Sequence, residues 1–229
     1  MGIITTTMNS TFLALAIAPL LLPIVFQFNK RIFTGGNFKA AFSASLLSCI
    51  VFSAIILAQH SLNFISYGTK EDTFIGIPIA QYILNFTFSF AAVSLYQYLN
   101  IKFPKNDLQR YSLAVSNLLL GLCIAFLFFA YSKWYTVSTF ATLLILLLFI
   151  EYVGKLRFMY KAYRAFVLML IPFHLIYGVL FWKGTIAIDK NHLAGLYIAK
   201  IPVESHFVAL AMMLLSIYMF EFFRSERKA

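Results

Sequence analysis

The sequence predicts an all-α, polytopic membrane protein, and two observations carry that prediction. First, 62% of the 229 residues are hydrophobic and only 11% are charged, whereas soluble domains have about 45–50% apolar and about 25% charged residues. Second, seven apolar stretches approach or reach the roughly 20 residues that a helix needs to cross a bilayer. This composition excludes a cytosolic globular enzyme, a disordered chain and a secreted disulfide scaffold. The predicted transmembrane helices cover residues 11–28, 40–59, 75–99, 111–131, 135–153, 165–182 and 195–223.

Local signals support the individual helices. The first helix is not predicted to be a cleaved signal peptide, because no Lys or Arg precedes it and the basic pair at 30–31 follows it. Pro19 and Pro23 predict a kink in this helix, and Pro172 predicts one in the sixth. The fourth and fifth helices are separated only by the tight turn at 132–134, which ends in an interfacial aromatic residue.

The basic residues predict the orientation of the chain. The formal net charge is +10, and the Lys and Arg residues lie in short runs between apolar spans. Thirteen of them fall on the side of the C-terminus and five on the other. The positive-inside rule therefore predicts a protein integral to the cytoplasmic (inner) membrane, with the N-terminus outside and the C-terminus in the cytoplasm. The same distribution argues against a nucleic-acid partner, which would need one clustered basic patch.

A weak internal repeat predicts how the helices are related. Pro78 and Pro202 lie in matching segments at an offset of 124 residues, and 95–98 matches 219–222 at the same offset. Helices one to three therefore correspond to helices five to seven, and helix four connects them. Corresponding helices run in the same direction, so these are parallel repeats about an axis along the membrane normal. The predicted units are a single membrane domain at 1–229, with a first three-helix repeat at 10–99, a connecting helix at 111–131 and a second three-helix repeat at 135–223.

Glu204 is the one acidic residue predicted to lie at membrane depth, about a turn inside the seventh helix, while the other seven fall in loops or at helix ends. An ionisable group in the bilayer is costly, which makes Glu204 a candidate functional residue. A structural ion pair with Lys200, four residues earlier on the same helix face, is the alternative. His206 faces away from Glu204 on the helical wheel, and His174 is more typical of a hydrogen-bonded core residue.

Several kinds of site are unsupported. Four scattered His residues without carboxylates at ligand spacing predict no metal site. The chain has no glycine-rich nucleotide motif and no aspartate-rich magnesium motif. A retinal protein is also disfavoured, because Lys200 lies near the end of its helix and the third helix has no carboxylate to serve as a counter-ion. No cofactor and no metal are expected.

Short motifs in the two repeats resemble those of the membrane lycopene cyclases of the carotenoid pathway, which occur as small subunits or as two fused repeats. That family carries Pro-x-Glu-Glu or Pro-x-Glu-Asp near the start of the last helix of each repeat and Tyr-Glu near its end. The resemblance extends from about residue 20 to residue 223. The second repeat reads Pro202-Val203-Glu204-Ser205 and Phe220-Glu221, and the first reads Pro78-Ile79-Ala80-Gln81 and Tyr96-Gln97.

The chain departs from this pattern at most of the acids. Ala80 and Gln81 replace both acids of the first motif, and Ser205 replaces the second acid of the other. The Asp expected at the end of the second helix is Gln59. Of these motif acids, Glu204 is the one that remains.

The resemblance implies a cofactor-independent isomerase that cyclises the ends of a linear carotenoid, lycopene, by protonation, with Glu204 as the catalytic acid. Another isoprenoid reaction, or a non-catalytic homologue that binds a carotenoid or lipid or serves as a subunit of a membrane complex, stays open, so the sequence leaves open whether the protein is an enzyme. The implied partners are a hydrophobic isoprenoid or carotenoid, the lipid bilayer and a homo- or hetero-oligomer in which a second chain supplies the missing acids. The residues expected to bind substrate are Pro202, Ser205, His206, Tyr197, Pro78 and Gln81.

Overall fold

The structure is a computed structural model that describes residues 11–27, 35–69, 72–105, 109–154 and 158–226. Within these ranges the chain forms seven helices, which confirms the predicted all-α polytopic fold. Six are long and apolar enough to cross a membrane, and the N-terminal apolar helix, Thr11–Val25, is shorter. Helix α1 begins at Thr11, passes through a 3-10 turn at Ala18–Leu20 and ends with Leu21–Gln27. Helix α5 (Trp134–Leu148) is continued by a π-helical turn at Phe149–Val153. The others are α2 (Gly35–Ser61), α3 (Ile79–Lys102), α4 (Gln109–Phe129), α6 (Met159–Trp182) and α7 (Val203–Glu226).

The prolines affect the two helices differently. In α1 the 3-10 turn at Ala18–Leu20 contains Pro19 and precedes Pro23. Pro23 has no N–H for the carbonyl group of Pro19, so the regular α-helical hydrogen bond is missing there. Pro172 lies inside α6, which is continuous from Met159 to Trp182, and the kink predicted there stays a prediction.

Two short hairpins correct the predicted starts of the third and seventh helices. Strands β2 (Thr73–Phe74) and β3 (Ile77–Pro78) form one hairpin before α3, and a second lies before α7. The third helix therefore begins at Ile79 rather than 75, and the seventh at Val203 rather than 195. The cause is local, because both two-residue turns have positive φ, which a right-handed helix cannot accommodate. The turn residues and angles are Ile75 (53°), Gly76 (81°), Ala199 (49°) and Lys200 (68°).

A third strand pair joins the two halves of the chain. Strand β1 (Ile65–Tyr67) follows α2 and pairs antiparallel with β4 (Ile186–Ile188), which follows α6. Ser66 pairs with Ala187 at the centre of the ladder, so the pairing is symmetric about that point. A strand that follows the second helix of the first half therefore pairs in the opposite direction with one that follows the second helix of the other half. The remaining strands, β5 (Tyr197–Ile198) and β6 (Ile201–Pro202), form the second hairpin.

The helices pack around α3 and α7. These two are the most buried of the six long helices, and they contact each other and helices from both halves. Helix α4 is the least buried and packs against α5 and α6. Strands β1–β6 lie at one end of the bundle, called the hairpin end, and the C-terminus of α7 lies at the other, called the C-terminal end. Residues used in the sequence analysis that lie outside the described ranges are Phe28, Lys30, Arg31, Lys70, Glu71, Asp107, Lys155, Arg157, Arg227 and Lys228.

Candidate active site

Glu204 lies at the hairpin end, where it is the second residue of α7 and only 1% exposed. The prediction that it lies a turn inside the helix is wrong, because α7 begins at Val203. The alternative of an ion pair with Lys200 on the same helix face is also wrong. Lys200 is exposed in the turn between β5 and β6. Among the described residues, no ion pair includes Glu204.

Two donors hold one oxygen of the Glu204 carboxyl group. The hydroxyl group of Thr136, on α5, donates to Oε1 at 2.6 Å, and the backbone N–H of Ala194 donates to the same atom at 2.8 Å. The other oxygen, Oε2, is buried and has no hydrogen-bond partner in the described part of the chain. Burial without a cation penalises a charged carboxylate.

A short loop positions the backbone donor. The segment from β4 to Ala194 contains a 3-10 turn at Lys190–His192. The Asp189 side chain caps this turn by accepting a hydrogen bond from the Asn191 N–H at 2.9 Å. Thr136 Oγ1 also accepts from the Ala194 N–H at 3.0 Å. The loop, α5 and α7 are thereby connected through Glu204.

A narrow central cavity of about 50 Å³ lies between the two halves. Gln81 and Ser205, two of the residues predicted to bind substrate, line it from equivalent positions on α3 and α7. Glu204 does not line this cavity. It is one turn before Val208 on the same helix face, and Val208 lines both the central cavity and a smaller adjacent one.

Neutral amides occupy the region where the resemblance predicts the first-repeat acids. Gln81 Nε2 donates to Asn85 Oδ1 at 2.9 Å, and Asn85 Nδ2 donates to Ser53 at 3.1 Å. Gln59 Nε2 donates to Ser138 at 2.8 Å. Gln59, Gln81 and Asn85 all line the central cavity. This side of the cavity therefore has hydrogen-bonding groups and no carboxylate among the described residues.

Aromatic side chains form much of the remaining wall. Tyr135 interacts with Ser205, and Tyr177 interacts with Gln81. Tyr67 approaches from strand β1, outside the membrane-spanning helices, and burial raises the pKa of its hydroxyl group well above the ordinary value. Tyr67 is therefore neutral at physiological pH. Aromatic ring faces can stabilise a nearby cation.

His206 and His174 form a close pair between α7 and α6. Their Nε2 atoms are 3.1 Å apart. Each Nδ1 faces a backbone carbonyl oxygen, that of Pro202 for His206 and that of Leu170 for His174. Since a carbonyl oxygen can only accept, each Nδ1 carries a hydrogen, and both Nε2 atoms of a neutral pair are acceptors. One additional proton would convert this contact into a hydrogen bond.

The other predicted binding residues lie elsewhere. Pro78 and Pro202 are buried at the last positions of their hairpins, directly before α3 and α7. Tyr197 is 48% exposed on strand β5 and lines none of the described cavities. Thr136 and Ala194 were missed, and no sequence motif marks either of them. The sequence identifies Tyr135 only as an aromatic residue at the start of a predicted helix.

Similarity to known proteins and the chemistry of the described residues together indicate the family of the chain. Among the described residues, no group of three or more His, Cys, Asp or Glu is placed to hold a metal ion. A family model described as lycopene cyclase matches residues 5–99 and 132–223. No curated protein and no solved structure matches the chain. The two matched segments contain the two hairpins and the helices that follow them, and together they cover most of the sequence. The chain therefore belongs to the lycopene cyclase family.

Proposed function

We propose that this protein closes a ring at the end of a linear carotenoid, or a related isoprenoid, and that Glu204 supplies the initiating proton. The observation that carries the proposal is the buried carboxyl group of Glu204, with Oε1 held by two donors and Oε2 left without a partner. Membership of the lycopene cyclase family supports it. A neutral acid in an apolar site is a recurrent device for proton transfer at physiological pH.

The reaction balances without a redox partner. The proton of Glu204 adds to the terminal double bond of the polyene, and the tertiary carbocation that forms is attacked by a neighbouring double bond. Loss of a proton from the ring then restores an alkene, so the product is an isomer of the substrate. Aromatic faces near the cavity, such as that of Tyr177, can stabilise the cation.

The histidine pair is our candidate for the proton acceptor. His206 does not itself line the central cavity, but it directly follows Ser205, which does. In a neutral pair the lone pairs of the two Nε2 atoms face each other at 3.1 Å. A proton taken from the cyclic cation would lie between these atoms and form a hydrogen bond. Release of that proton from the histidine pair to solvent, and uptake of a proton from solvent by the Glu204 carboxylate, would then restore both groups for the next cycle.

Substrate entry requires the central cavity to widen. Its volume of about 50 Å³ is far below the roughly 300–1,000 Å³ of ordinary ligand sites. The strands β1 and β4 contribute Tyr67, Ile186 and Ile188 to the cavity wall, so separation of this strand pair would enlarge it. A polyene could then approach from the bilayer.

The second candidate function is binding without catalysis, as a carotenoid- or lipid-binding homologue or as a subunit of a hetero-oligomer. The neutral Gln59, Gln81 and Asn85 favour it, because among the described residues the first half of the cavity contributes amides and no acid. A different isoprenoid reaction is consistent with the same residues. In each case the hydrophobic ligand would lie between the two halves.

We also propose the predicted orientation, with the C-terminal end in the cytoplasm and the protein in the cytoplasmic membrane. Basic residues at that end support this orientation. We also propose that the two repeats, at 10–99 and 135–223, are the units on either side of the connecting helix. Reporter fusions at each terminus would test the orientation, since an outside C-terminus would contradict it. The described basic residues at the C-terminal end are Lys39, Lys102, Lys105, Arg110, Lys161, Arg164 and Arg224.

The cyclase proposal is tested by producing the protein in a bacterium that accumulates lycopene and separating the pigments by chromatography. The unmodified protein is compared with Glu204→Gln, and with Glu151→Gln as a matched acid-to-amide control at the other end of the bundle. We expect cyclic carotene from the unmodified protein and the control, and none from Glu204→Gln. Unchanged lycopene with well-inserted unmodified protein would favour the binding function, and ring formation by Glu204→Gln would exclude Glu204 as the acid.

A further inference from the structure

A second, larger cavity of about 360 Å³ lies at the C-terminal end of the bundle. It is formed mainly by α3, α6 and α7, and its walls include Gln97 and Lys161. Gln81, in the central cavity, is 16 residues before Gln97 on the same helix, which corresponds to about 24 Å along the helix axis. The polar cavity, as we call it, is therefore separate from the candidate active site. Its other polar or charged lining residues are Asn37, Tyr96, Asn100, Glu221 and Arg224.

Among the described lining residues Glu221 is the one acid, and its charge is already compensated. Glu221 Oε1 accepts a hydrogen bond from the Tyr96 hydroxyl group at 2.8 Å and lies 3.6 Å from Nη1 of Arg224. The charges of Glu221 and Arg224 therefore offset each other. Lys161 remains as a cation whose side chain has no hydrogen bond or ion pair within the described ranges.

Among the described residues, the buried side-chain atom of this lining that has no hydrogen-bond partner is a donor. Gln97 is 5% exposed, and its Nε2 has no hydrogen-bond partner among the described residues. Asn100 Oδ1 accepts from Nη2 of Arg164 at 3.3 Å, and the Asn100 side chain also interacts with the Tyr96 hydroxyl group, so the donor left for a ligand is the amide of Gln97. A buried donor without a partner is costly, and an anion with several acceptor oxygens would satisfy both this donor and the Lys161 charge.

We propose that the polar cavity binds a phosphate group. A phosphate oxygen would accept from the Lys161 ammonium group and from the amide of Gln97, and its charge would balance the uncompensated cation. The phosphate could belong to an anionic phospholipid, since the cavity lies at the end of membrane-spanning helices, or to free phosphate. This proposal does not rest on the cyclase function.

The test uses the purified full-length protein and follows its thermal unfolding in two arms at fixed ionic strength. One arm adds inorganic phosphate in place of chloride. The other compares nanodiscs of phosphatidylcholine with nanodiscs that also contain phosphatidylglycerol. Saturable stabilisation by phosphate alone would identify free phosphate as the source, and stabilisation by phosphatidylglycerol alone would identify the lipid headgroup.

Three variants keep the test specific to the cavity. Lys161→Gln should weaken the apparent affinity by about tenfold or more, since hydrogen bonds to charged groups are among the stronger ones. Lys161→Arg keeps the charge and should retain binding. Lys39→Gln removes an exposed cation at the same end of the bundle, outside the cavity, and should leave binding unchanged. No stabilisation in either arm, or an equal response from Lys161→Gln and the unmodified protein, would overturn the proposal.

Discussion

The starts of α3 and α7 have the same backbone and different chemistry. Each follows a two-stranded hairpin that ends in proline, with positive φ at both turn residues. At equivalent positions on the helices, Ala80 and Gln81 in the first half correspond to Glu204 and Ser205 in the second. The hairpin and proline define where each helix begins, and they do so without the acid. The comparison shows that the scaffold is common to both halves, while the buried carboxyl group belongs to one of them.

The largest effect is expected from a variant that moves the carboxyl group within its own site. Glu204→Asp keeps a carboxyl group but withdraws it by one methylene from its hydrogen-bond partners on α5 and in the loop. We expect the rate of ring formation to fall about 100-fold, because small displacements of a reacting group have effects of that size. Initial rates in isolated membranes measure this. An aspartate variant as active as the unmodified protein would mean that the position of the acid is unimportant.

Adding an acid to the first half should damage the protein rather than duplicate the site. Ala80 is 2% exposed, so a carboxylate introduced there would be buried, which penalises its charge. We expect Ala80→Glu to lower the free energy of unfolding by at least about 2 kcal/mol relative to Ala80→Gln, a neutral control of the same size. Thermal unfolding in detergent compares the two. Equal stability would show that the first half can accommodate an acid.

Two threonines on α5 provide a matched test of the contact with Glu204. Thr136 donates to Glu204, whereas the buried hydroxyl group of Thr139, one turn later, has no partner among the described residues. Thr136→Val should lower stability by about 1–2 kcal/mol, and Thr139→Val should be neutral or stabilising. Thermal unfolding measures both. The reverse order would contradict the hydrogen-bonding role of Thr136.

The smallest expected effect concerns the two turns. Lys200 has a φ of 68°, and the equivalent residue of the first hairpin is Gly76. Lys200→Gly should raise stability by up to about 1 kcal/mol, because glycine adopts positive φ without a steric penalty. Gly76→Lys should lower it, because a residue with a side chain is strained at a φ of 81° and its Cβ atom would also lie 3.1 Å from Nε2 of His60. If both variants are as stable as the unmodified protein, the conformations of the two turns do not limit its stability.

The helices could be predicted from the sequence because apolar length is a local property. The hairpins could not, since Ile75-Gly76 and Ala199-Lys200 lie in apolar segments that read as continuations of helices. The pairing of β1 with β4 joins residues more than 100 positions apart, and no local sequence pattern predicts it.

The candidate site divides in the same way. Glu204 was identified because an acid is unusual in an apolar span, whereas its donors, Thr136 and Ala194, are common residue types that the fold brings together. Tyr197 is near Glu204 in sequence, but the turn between β5 and β6 places it on the exposed strand of the hairpin. Proximity along the chain is a poor guide at the start of a helix that follows a hairpin.

The central claim is that Glu204 starts ring closure with a proton. Its most direct test is mass spectrometry of carotene formed by the purified protein from lycopene in deuterated water, beside Glu204→Gln. Each ring takes up one proton and loses another, so the account predicts cyclic product with one deuterium per ring from the unmodified protein and no product from the variant. Linear carotene recovered unchanged from the folded, unmodified protein, or labelled rings from the variant, would contradict it.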